Sequence, residues 1–447
     1  MSSNTIAAIA TASGVGSIAI IRLSGEQAIE IANKVIDKEL TPRVATLSSV
    51  YNKENILIDQ AIVIYFKSPN SFTGEDIVEF QCHGGAIIAQ EILDSLVYFG
   101  AKLAKPGEFT QRAFLNGKID LTKAEAIAKM IETKSLDGAK ILARQLRGEL
   151  GEFINKMRDS LLLLLSYSEV MIDYAQEDID ENLILNLESK LKIVEKELED
   201  IVNSTHRRMG LIEGFWLSII GKPNVGKSSI LNKMLNYNRA IVSDIAGTTR
   251  DSIEEQVKIG SHIVRVADTA GIREATDIIE KLGVERSIEW LEKSDIVVAV
   301  FDASNNLDDE DLKVIELIKS SNTIENVVVV LNKIDISCKI DKSVFSSFDI
   351  IELSAKESVD ILIDKLEDIL NSFSKIDELM LISNRQVESV NKALSEIRDS
   401  FEPLKSRELE FFSYHINIAI EALNELTRPY RYEEMLDKMF SEFCLGK

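Results

Sequence analysis

A segment near the middle of the chain has the composition and spacing of a loop that binds phosphate groups. Residues 221–228 read Gly-Lys-Pro-Asn-Val-Gly-Lys-Ser, which fits the pattern G-x-x-x-x-G-K-[ST], and they follow an apolar run at 216–220. Glycine allows the backbone to curl so that its N–H groups and a following helix N-terminus face the phosphates. We therefore expect Lys227 to contact the β- and γ-phosphate oxygens and the Ser228 hydroxyl to bind Mg²⁺.

Three further motifs follow in the order expected of a domain that binds guanine nucleotides. Asp-Thr-Ala-Gly at 268–271 can hold Mg²⁺ through water and sense the γ-phosphate. Asn-Lys-Ile-Asp at 332–335 can accept from the guanine N1–H and 2-amino group, a donor pair that adenine lacks, and an unpaired buried acceptor costs about 1 to 3 kcal/mol. Ser-Ala-Lys at 354–356 supplies the last loop against the base. Alone, these last two motifs are more often a solvated turn and a helix cap, but the shared order predicts GTP.

A small, polar segment at 243–251, Ser-Asp-Ile-Ala-Gly-Thr-Thr-Arg-Asp, occupies the place of the first switch loop of a GTPase. Thr249 is the candidate for the second hydroxyl ligand of Mg²⁺. Ile272 stands where Ras-like proteins have a Gln that orients the attacking water, so another polar group must act in hydrolysis. Glu280 is the candidate, although its spacing alone fits an ordinary exposed helix carboxylate.

These segments together define one expected nucleotide site. Lys227, Thr249 and Glu280 are its candidate catalytic residues, and Ser228 and Thr249 are the expected Mg²⁺ ligands. The expected GTP-binding residues are Asn224, Val225, Gly226, Lys227, Ser228, Ser229, Ser243, Asp244, Ile245, Ala246, Gly247, Thr248, Thr249, Asp268, Thr269, Ala270, Gly271, Asn332, Lys333, Asp335, Ser354, Ala355 and Lys356.

The chain is acidic, with 51 Lys and Arg residues against 73 Asp and Glu residues and a net charge of -22 over 447 residues. Any nucleic-acid role therefore needs a local basic patch or a partner protein that supplies positive charge. Three widely spaced cysteines do not form a disulfide framework, which indicates a reducing compartment. The N-terminus lacks a basic region, and the apolar run at 161–165 is too short to cross a bilayer. We expect a soluble, cytoplasmic protein.

The hydrophobic pattern divides the chain into four segments. Residues 1–117 mix short β-branched runs with two helical stretches, which predicts a compact α/β domain. The expected strands are at 18–23, 61–66 and 77–80, and the expected helices lie near 27–35 and 86–99. Residues 118–213 and 374–447 show long heptad-like helices, which are typical of a helical bundle. One such apolar series is Leu187, Leu191, Val194 and Leu198. Strands alternate with helices over 214–373, which predicts a mostly parallel sheet covered by helices. The expected strands are at 215–220, 264–267, 296–301, 327–331 and 350–353. The fold class is therefore mixed α/β and all-α, with a P-loop domain inserted into a discontinuous helical bundle.

Three stretches resemble the MnmE (TrmE) family of tRNA modification GTPases. They are PGEFTQRAFLNGKIDL at 106–121, GTTRD at 247–251 and FCLGK at 443–447. The similarity covers essentially the whole chain, in the order and spacing of the family. It implies an N-terminal folate-binding domain that dimerises, a discontinuous helical domain and an inserted G domain.

The resemblance also implies partners and cofactors. In this family the homodimer works with the FAD-containing flavoprotein MnmG (GidA), in a heterotetramer. Together they place an aminomethyl or carboxymethylaminomethyl group on carbon 5 of the tRNA wobble uridine, with 5-formyl- or methylene-tetrahydrofolate as the implied one-carbon folate. Such a partner would supply much of the tRNA contact that this acidic chain lacks.

The resemblance implies a K⁺ ion where other GTPases use an arginine finger, at the place where negative charge develops during hydrolysis. Ser243 is usually Thr in relatives, a difference that leaves a backbone carbonyl ligand intact. Glu280 aligns with the family's general-base-like glutamate. The residues that match the K⁺ ligands are Asn224, Ser243, Ile245 and Thr248.

The resemblance also assigns the folate site. A carboxylate can accept from the N–H donors of the pterin, and cations suit the folate carboxylates, although each residue taken singly is more often a surface charge. Cys444 is either a nucleophile or a small residue packed beside this site. The residues that match the folate site are Arg22, Glu79, Lys118 and Lys447.

Two other functions compete with tRNA modification. Ribosome-assembly GTPases share the central domain, but they lack the two stretches that this chain has at 106–121 and 443–447. A folate-dependent transferase would use its nucleotide domain only for regulation. The pattern G-x-G-x-x-A at 14–19 does not predict a dinucleotide site, because residues 20–23 read as a strand instead of a phosphate-facing helix.

Overall fold

A computed structural model describes residues 4–12, 14–133, 135–173, 181–237, 255–266, 294–320, 326–374, 379–428, 439–441, 443 and 446. The chain folds into two compact units. Unit 1 comprises Met1–Ala128, Gln145–Lys190 and Ser395–Lys447, and unit 2 comprises Lys129–Arg144 and Leu191–Leu394. The domain boundaries predicted at 117, 213 and 373 stay predictions.

The secondary structure of the described residues is mixed. The strands, in chain order, are β1 (Ile6–Ile9), β2 (Ile18–Ser24), β3 (Thr46–Tyr51), β4 (Leu57–Phe66), β5 (Ile77–His83), β6 (Lys102–Leu103), β7 (Phe215–Ile220), β8 (Glu255–Ile259), β9 (His262–Val266), β10 (Ile296–Asp302), β11 (Val327–Asn332) and β12 (Asp349–Glu352). The helices, in chain order, are α1 (Ala28–Ala32), α2 (Ala86–Tyr98), α3 (Glu108–Leu115), α4 (Leu121–Glu132), α5 (Leu136–Arg147), α6 (Glu149–Asp173), α7 (Glu181–Arg208), α8 (Gly210–Glu213), α9 (Lys227–Tyr237), α10 (Asp309–Ser320), α11 (Asp360–Ser372), α12 (Asn384–Ser406) and α13 (Leu409–Thr427).

Unit 1 contains a sheet of strand order β3-β4-β5-β2-β1-β6. Its neighbouring strands run antiparallel except β1 and β6, which run parallel. One face of the sheet packs against α1 and α2, and Ile21, Val63 and Phe80 on that face are fully buried. The strands predicted at 18–23, 61–66 and 77–80 and the helices predicted near 27–35 and 86–99 are confirmed.

The long helices of unit 1 form a bundle, as the heptad-like pattern predicts. Helix α6 packs along α13, where the Ser168 and Ser413 hydroxyl oxygens lie 2.8 Å apart and are buried. Leu161 and Leu164 of α6 and Phe412 of α13 are fully buried. Helix α7 begins in unit 1 and continues in unit 2 from Leu191, and its predicted apolar heptad face is buried at Leu187, Leu191, Val194 and Leu198.

Unit 2 contains a sheet of strand order β12-β11-β10-β7-β9-β8, parallel except for β8. Every residue of β10 is buried, as expected for a central strand that is covered on both faces. The strands predicted near 215–220, 264–267, 296–301, 327–331 and 350–353 are confirmed, and the antiparallel edge strand β8 was not predicted. Because β7, β10, β11 and β12 run parallel, their carboxyl ends meet at one edge of the sheet, where ligands bind in such folds.

Across the described residues, no helix combines the length and the apolar composition that crossing a lipid bilayer requires.

Two adjacent residues of α13 test the packing of the unit 1 bundle. Phe412 is fully buried, whereas Phe411 is 61% exposed. We expect Phe412→Ala to lower the free energy of unfolding by about 3 to 5 kcal/mol, because it leaves a cavity. Phe411→Ala should change it by less than about 0.5 kcal/mol. Urea unfolding followed by far-ultraviolet circular dichroism measures both values, and equal effects would contradict the packing described.

Candidate functional site

The glycine-rich loop at 221–228 connects the end of β7 to the start of α9, so the predicted strand, loop and helix are confirmed. Gly221 and Gly226 adopt φ values of +144° and +107°, which side chains with a Cβ atom rarely adopt. A Cβ atom at Gly221 would collide with the carbonyl oxygen of Val300, and one at Gly226 with the Asn332 amide. Glycine is therefore required at both positions.

Lys227, the first residue of α9, points its ammonium back into the loop. Its Nζ donates to the carbonyl oxygens of Gly221 at 2.6 Å and Lys222 at 2.8 Å. Burial lowers the pKa of this ammonium below its usual value. An ammonium at this position lies beside the N-terminus of α9, where an anion is favoured.

Asn332, at the end of β11, forms hydrogen bonds with two loops at the carboxyl edge of the unit 2 sheet. Its Nδ2 donates to the Val225 carbonyl oxygen at 2.7 Å, and its Oδ1 accepts from the Ala355 N–H at 2.9 Å. The residue is 2% exposed. It is therefore a buried connection between the phosphate loop and the 354–356 loop, and not a solvated turn residue.

Lys333 makes a second connection to the loop. Its Nζ donates to the Asn224 carbonyl oxygen and to Asp302 Oδ2, both at 2.7 Å. Lys333 and Asn224 both adopt left-handed backbone conformations, with φ of 66° and 62°. These hydrogen bonds fix the backbone of Asn224 while its side chain stays exposed.

Asp302, at the carboxyl end of β10, was not predicted as a site residue. Besides Lys333, it accepts from the N–H and hydroxyl of Ser304, at 3.0 and 2.6 Å. Burial alone would raise the pKa of Asp302, but the hydrogen bonds from Lys333 and Ser304 hold it below the ordinary value. An acidic residue that ends a fully buried strand is the sequence signal for such a group.

The remaining described residues of the expected GTP site lie at the same edge of the sheet. Asp335 and Lys356 are exposed, whereas Ser354 and Ala355 are buried. The Ser354 hydroxyl has no hydrogen-bond partner within the described part of the chain. Val225 is buried, and Ser228 and Ser229 lie in the first turn of α9.

Arg22 and Glu79 of the expected folate site face each other across unit 1's sheet. They are paired residues of β2 and β5, and Arg22 Nε donates to Glu79 Oε1 at 2.8 Å. The Arg22 guanidinium carbon lies 5.6 Å from the ring centroid of Phe109 and 6.0 Å from that of Phe72. Arg22 Nη1 also donates to the carbonyl oxygen of Gly446, at 3.3 Å. The C-terminal stretch therefore contacts Arg22, one of the predicted folate residues.

Lys118 joins this group through the turn at 69–74. Its Nζ donates to the Pro69 carbonyl oxygen at 2.9 Å, and its methylene groups lie beside Gly74. Phe72, in the same turn, lies against Arg22. The turn thus places Lys118 and Arg22 in one region of the domain.

A polar network next to this region was not predicted. Arg112 Nη1 lies 3.1 Å from Glu75 Oε2, and its Nη2 donates to Glu108 Oε1 at 2.9 Å. Glu75 Oε2 also accepts from the Ser24 hydroxyl at 2.8 Å. The charged residues inside the 106–121 stretch were the available signal, but Glu75 and Ser24 lie far away in sequence.

Two family models match the chain in succession. One, described as the GTP-binding protein TrmE N-terminus, matches residues 5–118, and the other, described as the MnmE helical domain, matches residues 121–444. The chain belongs to the MnmE family. A relative from Sulfurovum sp. (strain NBC37-1), described as tRNA modification GTPase MnmE, is 56% identical over 445 residues, 99% of each chain. A relative of the same description from Sulfurimonas denitrificans is 56% identical over 448 residues, 100% of each chain.

Membership of the MnmE family confirms several predictions from the sequence. The protein is a P-loop GTPase that acts in tRNA modification. The multidomain fold, with an N-terminal α/β domain, long helices and a mostly parallel sheet that carries the phosphate loop, is also confirmed.

Several predicted residues of this MnmE-family chain lie outside the described residues and stay predictions. They belong to the switch loop, the Asp-Thr-Ala-Gly motif, the catalytic candidate and the C-terminus. They are Ser243, Asp244, Ile245, Ala246, Gly247, Thr248, Thr249, Asp268, Thr269, Ala270, Gly271, Ile272, Glu280, Cys444 and Lys447.

The ion pair of Asp302 with Lys333 predicts a pH-dependent stability. A carboxylate whose pKa is lowered by folding stabilises the fold above its unfolded pKa, and this contribution is lost as the pH falls through the folded value. We expect Asp302→Asn to reduce the free energy of unfolding at pH 7, with a difference from wild type that shrinks below about pH 4. Denaturant titrations over this range measure it, with the exposed Asp309→Asn as control. A difference that is constant with pH would contradict the pairing.

Proposed function

We propose that this GTPase binds GTP and Mg²⁺ at the carboxyl edge of the unit 2 sheet. The observation that carries the proposal is the pair of hydrogen bonds by which Asn332 joins the phosphate loop to the 354–356 loop. Phosphate binding and base recognition would otherwise depend on separate loops. This connection supports a single pocket for the phosphates and the base, which is the arrangement that the four motifs predict.

Each described residue has a role that its chemistry supports. The Lys227 ammonium has three N–H donors, so it can contact the β- and γ-phosphate oxygens from its place on the loop carbonyl groups. The Ser228 hydroxyl, in the first turn of α9, is an oxygen donor of the kind that Mg²⁺ prefers, and bound Mg²⁺ would neutralise phosphate charge. The exposed Asp335 carboxylate accepts from the guanine N1–H and 2-amino group. Thr249 is the proposed second Mg²⁺ ligand and Glu280 the residue that acts on the attacking water.

We infer that K⁺ activates hydrolysis through Asn224. The fixed, left-handed backbone of Asn224 presents an exposed side-chain oxygen next to the phosphate loop. A K⁺ ion held there would supply positive charge where negative charge develops on the β–γ bridge. Ser243, Ile245 and Thr248 are the proposed remaining ligands.

We infer that Arg22 and Glu79 bind a one-carbon folate, with Lys118 and Lys447. The charged pair is flanked by the rings of Phe72 and Phe109, and flat aromatic surfaces beside donors and acceptors suit a pterin ring. Both members of the pair are mostly buried, with side chains 20% and 16% exposed, so their hydrogen bonds are little screened by water. The folate would supply the one-carbon group for the modification.

A homodimer through unit 1's sheet is proposed from an exposed apolar pair. Leu47 and Ile62 are cross-strand neighbours on β3 and β4, on the face away from α1 and α2, and they are 62% and 41% exposed. Adjacent apolar side chains on an exposed sheet face favour association with another protein surface.

The chemistry on tRNA is proposed to need the FAD-containing MnmG flavoprotein, in a heterotetramer. Its product is an aminomethyl or carboxymethylaminomethyl group on carbon 5 of the wobble uridine. Family membership supports this reading, and the net charge of -22 favours a partner that provides much of the tRNA contact. The four-segment domain organisation, with the G domain at 214–373, belongs to the same proposal.

Mass analysis of tRNA nucleosides from cells that lack this protein tests the function. We expect loss of the modified wobble uridine, restoration by the wild-type gene, and no restoration by Arg22→Leu, because the folate site loses its guanidinium. The exposed Lys38→Leu in the same domain is the matched control and should restore it. Unchanged wobble uridines in the deletion strain would rule out the proposed modification.

Hydrolysis rates in KCl and NaCl test the ion site. We expect wild-type GTP hydrolysis to be at least about tenfold faster in KCl, equivalent to about 1.4 kcal/mol of transition-state stabilisation. Asn224→Ala should remove that difference while GTP binding persists. Equal wild-type rates in the two salts would show that Asn224 does not hold an activating ion.

A further inference from the structure

Lys222, the second residue of the phosphate loop, is held by two carboxylates from outside the loop. Its Nζ lies 2.7 Å from Oδ2 of Asp308 and 2.7 Å from Oδ2 of Asp311. The side chains of Lys222 and Asp311 are 15% and 5% exposed, so water screens their attraction only weakly. Burial alone would lower the pKa of Lys222, but the hydrogen bonds to Asp308 and Asp311 hold it above the usual value. The ammonium therefore stays charged.

The two carboxylates are themselves fixed at the start of α10. Asp308 Oδ1 accepts the N–H groups of Glu310 and Asp311, both at 3.1 Å, and Asp311 Oδ2 accepts the N–H of Asp308 at 3.2 Å. Such reciprocal bonds form a capping box, which holds a helix N-terminus in one conformation. Ile315 packs α10 into the core beneath the sheet. Lys222 is thus attached to a rigid element.

The main chain of Lys222 in turn holds Lys227. The Lys227 ammonium donates to the carbonyl oxygens of Gly221 and Lys222, at 2.6 and 2.8 Å. One residue therefore binds Lys227 through its backbone while its own side chain is fixed to α10. Gly221, with φ of +144°, gives this part of the loop little stiffness of its own.

We propose that Lys222 is a positioning residue for nucleotide binding. Its ion pairs with Asp308 and Asp311 keep the start of the phosphate loop, and with it Lys227, in the conformation that receives phosphate. The inference rests on the proposed phosphate-binding role of Lys227. The charge of the Lys222 ammonium also favours GTP binding. Without it, the carboxylates of Asp308 and Asp311 would repel each other and the anionic ligand.

Binding of a fluorescent GTP analogue with Mg²⁺ to the full chain tests the proposal. We expect Lys222→Met to raise the Kd about tenfold, equivalent to about 1.4 kcal/mol, and Lys222→Arg to stay within about twofold of wild type. The kcat at saturating GTP should change less than about twofold, because Lys222 acts on loop position before chemistry. Lys313→Met, an exposed lysine of α10, is the control and should bind as wild type.

A double variant separates positioning from general destabilisation. In Lys222→Met, the Asp311 carboxylate has already lost its cation. We therefore expect Asp311→Asn to raise the Kd less in the Lys222→Met background than in wild type. If Lys222→Met does not fold, Asp311→Asn alone provides the test, with a Kd raised several-fold. The proposal would be overturned if folded Lys222→Met, or Asp311→Asn in its place, bound GTP with the wild-type Kd. It would also be overturned if the effects of the two substitutions on the binding free energy simply added in the double variant.

Lys227→Ala distinguishes failure of this inference from failure of the proposed site. Tight GTP binding by folded Lys227→Ala would refute the phosphate-binding role of Lys227, and the inference with it. Lost binding in Lys227→Ala together with wild-type binding in Lys222→Met would leave the site intact and refute the positioning role of Lys222.

Discussion

The phosphate loop depends on hydrogen bonds that side chains from other elements make to its main-chain carbonyl groups. Asn332 holds the Val225 carbonyl and Lys333 holds the Asn224 carbonyl, each at 2.7 Å. Because each peptide unit is planar, a carbonyl turned toward such a donor leaves the N–H on its other side facing the opposite way, where an anion can bind. The Asn-Lys-Ile-Asp motif at 332–335 therefore also fixes the backbone of the phosphate loop.

The region around Arg22 in unit 1 uses the same kind of constraint. The Arg22–Glu79 pair is fixed by strand register, because the two residues lie opposite each other on β2 and β5. The carbonyl group of Gly446 then places the C-terminal stretch against this pair. Residues from the beginning and the end of the chain thus meet at one place. This juxtaposition gives a physical reason for sequence motifs at both ends of the protein.

Features that depend on the local order of residues were predicted from the sequence. Contacts between side chains that are far apart in the chain were not. Motifs that follow buried strands, such as 221–228 and 332–335, were placed correctly, because parallel strands bring their carboxyl ends to one edge. The pairings of Asp302 with Lys333, of Lys222 with Asp308 and of Arg112 with Glu75 were not predicted, since each joins residues at least 31 positions apart and depends on how the chain folds. Edge strand β8 was also not predicted, because five alternating residues give a weak signal.

A crystal structure of the full chain with a non-hydrolysable GTP analogue, Mg²⁺ and K⁺ is the most direct test of this account. We expect the hydrogen bonds of Asn332 with Val225 and of Lys333 with Asn224 to persist, and the Lys227 ammonium to lie on phosphate oxygens. A nucleotide bound elsewhere, or a loop whose carbonyl groups have left Asn332 and Lys333, would contradict it.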